Sequence, residues 1–249
     1  PAAELQRAAA AAEASGLDAC QRQAVLSLLE GPLVLLEGGP GTGKTSTVVQ
    51  MLAALLRRRP EARVHLAAPT GKAAARLRQA IGRGGGRLEP ELADRIALLP
   101  CSTLHRLLES RGERFGRDRA HPLNLDLLVV DELSMVDLPL MAALLAALPE
   151  HCRLLLAGDA AQLPPVGPGA VLQDLHRRHQ ALGPAAITLT TTYRNQGAIA
   201  TVAQQLRQLP DGADLLAGSG FDRLHPADNL QWLRAVSYTH LTLPTILLV

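Results

Sequence analysis

Two lysines, Lys44 and Lys72, stand among the 25 lysine and arginine residues of this chain. Lys44 lies in Gly38-Gly39-Pro40-Gly41-Thr42-Gly43-Lys44-Thr45, after the apolar run Leu33-Val34-Leu35-Leu36 and before an alanine- and leucine-rich segment. That spacing predicts strand, glycine loop and helix. Backbone N–H groups of such a loop turn inward on a phosphate chain, and the helix beginning at Lys44 presents its positive end. Lys44 would reach the outer phosphates and Thr45 would ligate Mg²⁺. An ammonium is a compact point charge and a guanidinium a wide fork, so a chain that otherwise uses arginine keeps a lysine here for a physical reason.

The second constellation is Leu125-Asp126-Leu127-Leu128-Val129-Val130-Asp131-Glu132, an apolar strand ending in paired acids. Asp131 at the strand tip can hold Mg²⁺ opposite Thr45, and Glu132 is placed to orient and deprotonate an attacking water. An Asp-Glu pair alone says little. With the glycine loop upstream, two halves of one metal-nucleotide site are present.

Four further stretches carry candidates. Gln162, in Gly158-Asp159-Ala160-Ala161-Gln162-Leu163-Pro164-Pro165 after the apolar run 153–157, has an uncharged amide suited to a terminal phosphate or its water. Arg194 follows the strand expected at 186–190, as either a surface ion-pair former or a finger on transition-state charge. Gln21 precedes the loop by about one strand length; its amide could grip an adenine edge, or it could be a solvated helix residue. Thr70 and Lys72, with Arg76 nearby, sit where the strand 64–68 turns into a helix, at the carboxyl end where open α/β sheets bind ligands. Phosphate contact and a plain helix cap are both open there.

The elements that must position these residues follow from the apolar pattern. A helix is expected over 2–14, and a second, capped by Asp18, running through Glu30. The helix after the glycine loop should end in Arg57-Arg58-Arg59-Pro60, a solvated, proline-stopped terminus. A helix over 73–81 is followed by a flexible glycine-rich loop at 82–87, and 101–106 should open a short helix. Residues 111–121, rich in glycine and arginine, read as an exposed loop or a DNA-facing hairpin. The fold class is α/β, a parallel sheet flanked by helices with a phosphate loop at one strand end.

Composition narrows the classes. With 249 residues and 47% hydrophobic residues, one large domain or slightly more can bury a core. A net charge of +2 is weak, so nucleic acid would have to meet a local patch. Aromatic residues make up 2%, which leaves few stacking platforms and favours backbone contacts. Cys20, Cys101 and Cys152 form no CxxC pair, which excludes a zinc ribbon and predicts buried free thiols. No apolar run reaches the roughly 20 residues of a membrane span and no signal-peptide core is evident, which reads as cytoplasmic.

The ordered motifs GGPGTGKT, LAAPTGKAAARL, STLHRLL, LLVVDELSMVD, LLAGDAAQLPPVGPG and LTTTYRN closely resemble those of RecD-type superfamily 1 DNA helicases, the family of the exodeoxyribonuclease V alpha subunit, over residues 17–208. The resemblance implies a RecA-like P-loop NTPase domain, with ATP on Gln21, Gly39, Pro40, Gly41, Thr42, Gly43, Lys44, Thr45 and Ser46, and Mg²⁺ on Thr45 and Asp131. It implies Glu132, Gln162 and Arg194 as the water, γ-phosphate and arginine-finger residues. Thr70, Lys72, Arg76, Thr103 and His105 would lie along single-stranded DNA, and RecB- and RecC-like subunits would be the partners, with 5′ to 3′ travel.

On that resemblance residues 1–16 are a remnant of a preceding region, 17–195 a first motor domain with a loop insertion near 106–122, and 196–236 the start of a connection to a second motor domain. The uncharged, alanine-free stretch 237–249 breaks from the rest in composition and reads as a non-native tail. A fragment of this kind is expected to turn ATP over slowly at best and not to unwind DNA alone. Competing classes are weaker. Neither lysine has the context of a guanine-reading motif or of a carboxylate-x-lysine nuclease site. An AAA+ ATPase shares both Walker elements but lacks the GDxxQLPP and PTGKAAARL stretches. A stand-alone RecD-like helicase and a nucleotide binder without turnover stay open.

Overall fold

In the computed structural model, residues 16–112 and 114–191 are described. Six strands, β1 (Leu33–Gly38), β2 (Val64–Ala68), β3 (Cys101–Thr103), β4 (Leu127–Val130), β5 (Arg153–Gly158) and β6 (Ala186–Leu189), form one sheet in the order β3-β2-β4-β5-β1-β6. Every pairing is parallel. Parallel strands need crossover connections, which place helices on both faces and make the central strands continuously apolar. Val34, Leu36 and Val129 point into one core; Leu35, Leu128 and Val130 point into the other. This is the parallel, helix-flanked α/β fold of a RecA-like P-loop NTPase.

On the first face lie α1 (Ala19–Glu30), α2 (Lys44–Arg58), α3 (Gly71–Gly84) and α4 (Pro90–Ala97). The second face is covered by α5 (Leu104–Leu107), α6 (Leu138–Ala147), α7 (Val171–Arg177) and α8 (His179–Leu182). Helix α1 begins at an N-cap Asp18 as its sequence predicts, with a capping box: Asp18 accepts from the Gln21 N–H at 2.8 Å and Gln21 Oε1 accepts from the Asp18 N–H at 3.0 Å. Arg153, at the start of β5, donates to the carbonyls of Leu28 and Gly31. The C-terminal end of α1 therefore lies at the amino edge of the sheet, and Gln21 at the carboxyl edge.

Several expectations are corrected. Residues 82–87 are not a flexible loop: α3 runs through Gly84 and a 3₁₀ turn spans Gly85–Arg87. A Cβ on Gly84 would fall 2.7 Å from Val49 Cγ2 of α2, and one on Gly85 2.9 Å from Ala93 Cβ of α4, so these glycines permit close helix packing. Cys101-Ser102-Thr103 is an edge strand, held by its register with Leu66-Ala67-Ala68, and the short helix starts only after it. Helix α4 has no counterpart in the sequence-based expectations.

The arginine terminus of α2 is not merely solvated, because Arg58 donates to the Leu29 carbonyl of α1 at 3.3 Å and Arg57 pairs with Glu89 at 2.6 Å. The segment 108–126 is irregular and largely exposed, with one antiparallel bridge between Arg111 and Arg114. Cys101 and Cys152 are buried free thiols as expected, while Cys20 is half-buried, its helix covering only part of it. The helix expected over 2–14, Arg194 and residues 196–249 lie outside the described residues. Among those described, no helix is long and apolar enough to cross a membrane.

Candidate functional site

The phosphate loop leaves the carboxyl end of β1 and enters α2 through Gly43, whose φ of 82° is a left-handed conformation that glycine adopts without steric cost. Thr42 is buried, and its hydroxyl donates to the Gly39 carbonyl at 2.8 Å, so it braces the loop from within. A Cβ on Gly38 would come 2.5 Å from Thr42 Oγ1, which leaves hydrogen as the only side chain that fits there. The Lys44 ammonium lies on the Gly38 and Gly39 carbonyls, the latter at 3.1 Å. Thr45 and Ser46 follow in the first turn of α2, which carries no acidic side chain. The helix dipole and the first-turn N–H groups thus meet no acid from the helix's own first turn.

Asp131 and Glu132 leave the tip of β4 at the same sheet edge. The Asp131 N–H donates to the Ala67 carbonyl at 2.9 Å, fixing the strand end. Withdrawal from water pushes its carboxyl up to about 6; the Glu132 charge adds to that shift and the Lys44 ammonium opposes it. Lys44 and Asp131 therefore act on each other across the two strand ends. A divalent cation fits beside Asp131, since it would supply positive charge to a desolvated carboxylate. Among the described residues no three His, Cys, Asp or Glu side chains gather around a metal position. A cation here would draw its other ligands from phosphate and water, the habit of Mg²⁺, with Thr45 and Asp131 as the protein's share.

Glu132 has φ 55°, left-handed for a side chain with a Cβ, a conformation that costs about 1 kcal/mol or more and tends to persist where the site needs it. Two residues on, the buried Ser134 hydroxyl donates to Gln162 Oε1 at 3.2 Å. This bond links the Asp131-Glu132 segment directly to the loop after β5. Gln162 is also held from α7, where Gln173 Nε2 donates to its carbonyl at 3.3 Å. Its side chain is exposed at the sheet edge, as a group meant for a ligand must be. No role had been read for Ser134 from sequence, because its partner lies 28 positions away.

The other expected residues divide. Gln21 is buried, which overturns the solvated alternative; capping occupies its Oε1 and leaves its N–H₂ group as the donor for a ligand. Thr70 and Thr103 are both N-caps, accepting from Ala73 at 3.2 Å and Arg106 at 3.2 Å. Each keeps a hydroxyl proton to donate. Since Ala68 lies in register with Thr103, these two turns are neighbours at the carboxyl edge of β2 and β3. Lys72 and Arg76 are exposed one turn apart on α3, and His105 is exposed beside Phe115, their rings 6.3 Å apart. The structure therefore gathers the nucleotide candidates at the ends of β1, β4 and β5 and the second set at the ends of β2 and β3, on one edge. Arg194 lies outside the described residues.

A family model described as an AAA domain matches residues 21–168, more than half of the chain and nearly all of this constellation. The chain belongs to the AAA domain family. It is 42% identical over 237 residues to the RecBCD enzyme subunit RecD of Mycobacterium tuberculosis, an alignment covering 91% of this chain and 41% of that protein. To the ATP-dependent RecD2 DNA helicase of Deinococcus radiodurans it is 41% identical over 175 residues, 70% of this chain and 21% of the other. A solved structure of Bacteroides Pif1 bound to ssDNA is 20% identical with a TM-score of 0.46, covering 77% of this chain and 46% of that one. The chain spans about two fifths of the length of its mycobacterial relative.

Proposed function

We propose that this chain is the first motor domain of a RecD-type, ATP-dependent DNA helicase that acts in recombination and double-strand break repair. The observation that carries the reading is the meeting, at one sheet edge, of a phosphate loop, a desolvated Asp131 coupled to Lys44, and a Ser134-tethered Gln162. Lys44 and the α2 N-terminus hold the phosphates, Glu132 orients and deprotonates water, and Gln162 contacts the γ-phosphate. Gln21 meets the adenine and Arg194 stabilises transition-state charge. Bound Mg²⁺ would neutralise charge on the phosphates, with Thr45 and Asp131 as its protein ligands.

Thr70, Lys72, Arg76, Thr103 and His105 are the single-stranded DNA contacts, made to backbone phosphate and therefore blind to sequence. RecB- and RecC-like subunits are the proposed partners, with travel 5′ to 3′ and a cytoplasmic location. The coverage of 91% of this chain by the mycobacterial subunit favours that assignment. The likeness to the RecD2 helicase supports a second reading, a stand-alone motor.

The experiment is ATP hydrolysis by the purified chain with and without single-stranded DNA, across a salt series. DNA should stimulate turnover, and Lys72→Ala with Arg76→Ala should weaken DNA binding evenly across sequences and flatten its salt dependence, leaving ATP affinity unchanged. An unaltered salt slope in both variants would make these two ordinary helix-start residues. Binding of Mg·ATP without any turnover or DNA response would reduce the chain to a nucleotide binder.

A further inference from the structure

β1 is apolar except at Glu37, which is 2% exposed at the position just before the phosphate loop. A buried carboxylate is costly unless it is paired, and an aliphatic residue would serve packing better. Glu37 stands in register with Gly158 of β5, where the Gln162 loop departs, and with Thr188 of β6, the strand that leads toward Arg194. Three functional segments thus leave the sheet from one row of residues.

The partners of this carboxylate come from the helices that join two of those segments. His176 of α7 places Nδ1 3.0 Å from both Glu37 oxygens, and His179 of α8 places Nε2 3.8 Å away and 3.2 Å from the Thr188 hydroxyl. The imidazoles meet edge-on at 6.4 Å and reach solvent. Three positions before His176, one helical turn back, Gln173 donates to the Gln162 carbonyl. One short helix therefore grips both the root of the phosphate loop and the γ-phosphate loop. β5 and β6 offer Gly158 and Thr188 to the carboxylate; Asp159 lies one residue beyond Gly158, and the Lys44 ammonium lies on the Gly38 and Gly39 carbonyls.

We propose that Glu37, acting through His176 and His179, is a positioning residue that fixes α7, and with it Gln162, relative to the phosphate loop. The proposal rests on the reading of this site as an Mg·ATP site. Glu37 touches no phosphate. Its effect falls on discrimination of the γ-phosphate.

Calorimetric titration of the full chain with Mg·ADP and with a non-hydrolysable Mg·ATP analogue tests this without needing turnover. In Glu37→Gln the analogue-to-ADP affinity ratio should be about fivefold lower than in the parent, with Mg·ADP affinity within about twofold. Glu37→Asp, which keeps the carboxylate, should restore part of the ratio. Should Glu37→Gln not fold, His176→Gln and His179→Gln on the solvent side carry the same expectation of a lowered ratio. A parental ratio in Glu37→Gln or in both histidine variants, or an equal loss of both affinities in Glu37→Gln, overturns the positioning role. If the folded parent binds neither nucleotide, the ATPase reading itself falls, and the positioning role with it.

Discussion

On the proposed reading Lys44 and Glu132 separate binding from chemistry. Lys44 would supply charge to the ground-state phosphates and Glu132 would act only on the attacking water, so their removal should affect different constants. Lys44→Ala is expected to abolish Mg·ATP binding, and Glu132→Gln to retain it within a few-fold while hydrolysis falls by about 10²-fold or more. Equilibrium binding of a fluorescent ATP analogue beside single-turnover hydrolysis reads both, and equal loss of affinity in the two variants would overturn the assignment. These residues could be named as candidates from sequence because phosphate chemistry fixes residue types at fixed spacing. Ser134, Glu37, His176 and His179 could not, since what defines each is a partner brought close only by strand order. Gln21 was half legible: the Asp-x-x-Gln capping box that engages its Oε1 is a local signal, whereas its burial is set by packing that local sequence does not show.

At the scale of elements, apolar runs in β1, β2, β4, β5 and β6 declared buried parallel strands, and Asp18 declared the start of α1. The failures arose where glycine and polarity were taken as signs of a loop. Gly84 reads as a breaker, yet its missing side chain is what lets α3 meet Val49 of α2. Gly84→Val should therefore destabilise the fold by about 1–3 kcal/mol through overpacking, measured by chemical denaturation. A solvated loop would tolerate the change, and a null result there would contradict the close approach.

At the opposite, amino edge, Asp126 accepts from the Arg63 backbone N–H at 2.8 Å and from its guanidinium at 2.8 and 3.0 Å, tying the start of β2 to the start of β4. The Arg63 hydrogen bond holds the Asp126 carboxyl down at about 2, below the ordinary 3.8. A depressed acid contributes stability above its unfolded value, and that contribution is lost as pH falls through the folded one. The pair is part-exposed and screened, so Asp126→Asn should lower the melting temperature by only about 2–4 °C near pH 7. Parent and variant curves should converge as pH drops from about 4 to 2. A constant gap across that range would mean the carboxylate charge contributes nothing.

For the molecule as a whole, the sheet order β3-β2-β4-β5-β1-β6 puts the two proposed ligand regions on one edge: the β2–β3 turns, proposed for DNA, and the ends of β4, β5 and β1, proposed for nucleotide. β4 lies between them, paired with β2 on one side and β5 on the other, and carries Asp131, Glu132 and, two residues later, Ser134. The Ser134–Gln162 bond is a direct side-chain tie between the β4 exit and the loop after β5. If both ligands bias this segment, their affinities are linked, and the factor by which single-stranded DNA tightens Mg·ATP must equal the factor by which Mg·ATP tightens DNA. A coupling of about 5-fold or more is expected for the parent chain. Ser134→Ala removes the hydroxyl without adding bulk and leaves both sites' own contacts in place. It should bring the coupling toward one while each ligand alone binds within about twofold of its parental affinity. The full cycle requires four titrations, each ligand with and without the other, on parent and variant. Undiminished coupling in Ser134→Ala would place communication along another route, with the β2–β4 pairing through Ala67 and Asp131 the next to test.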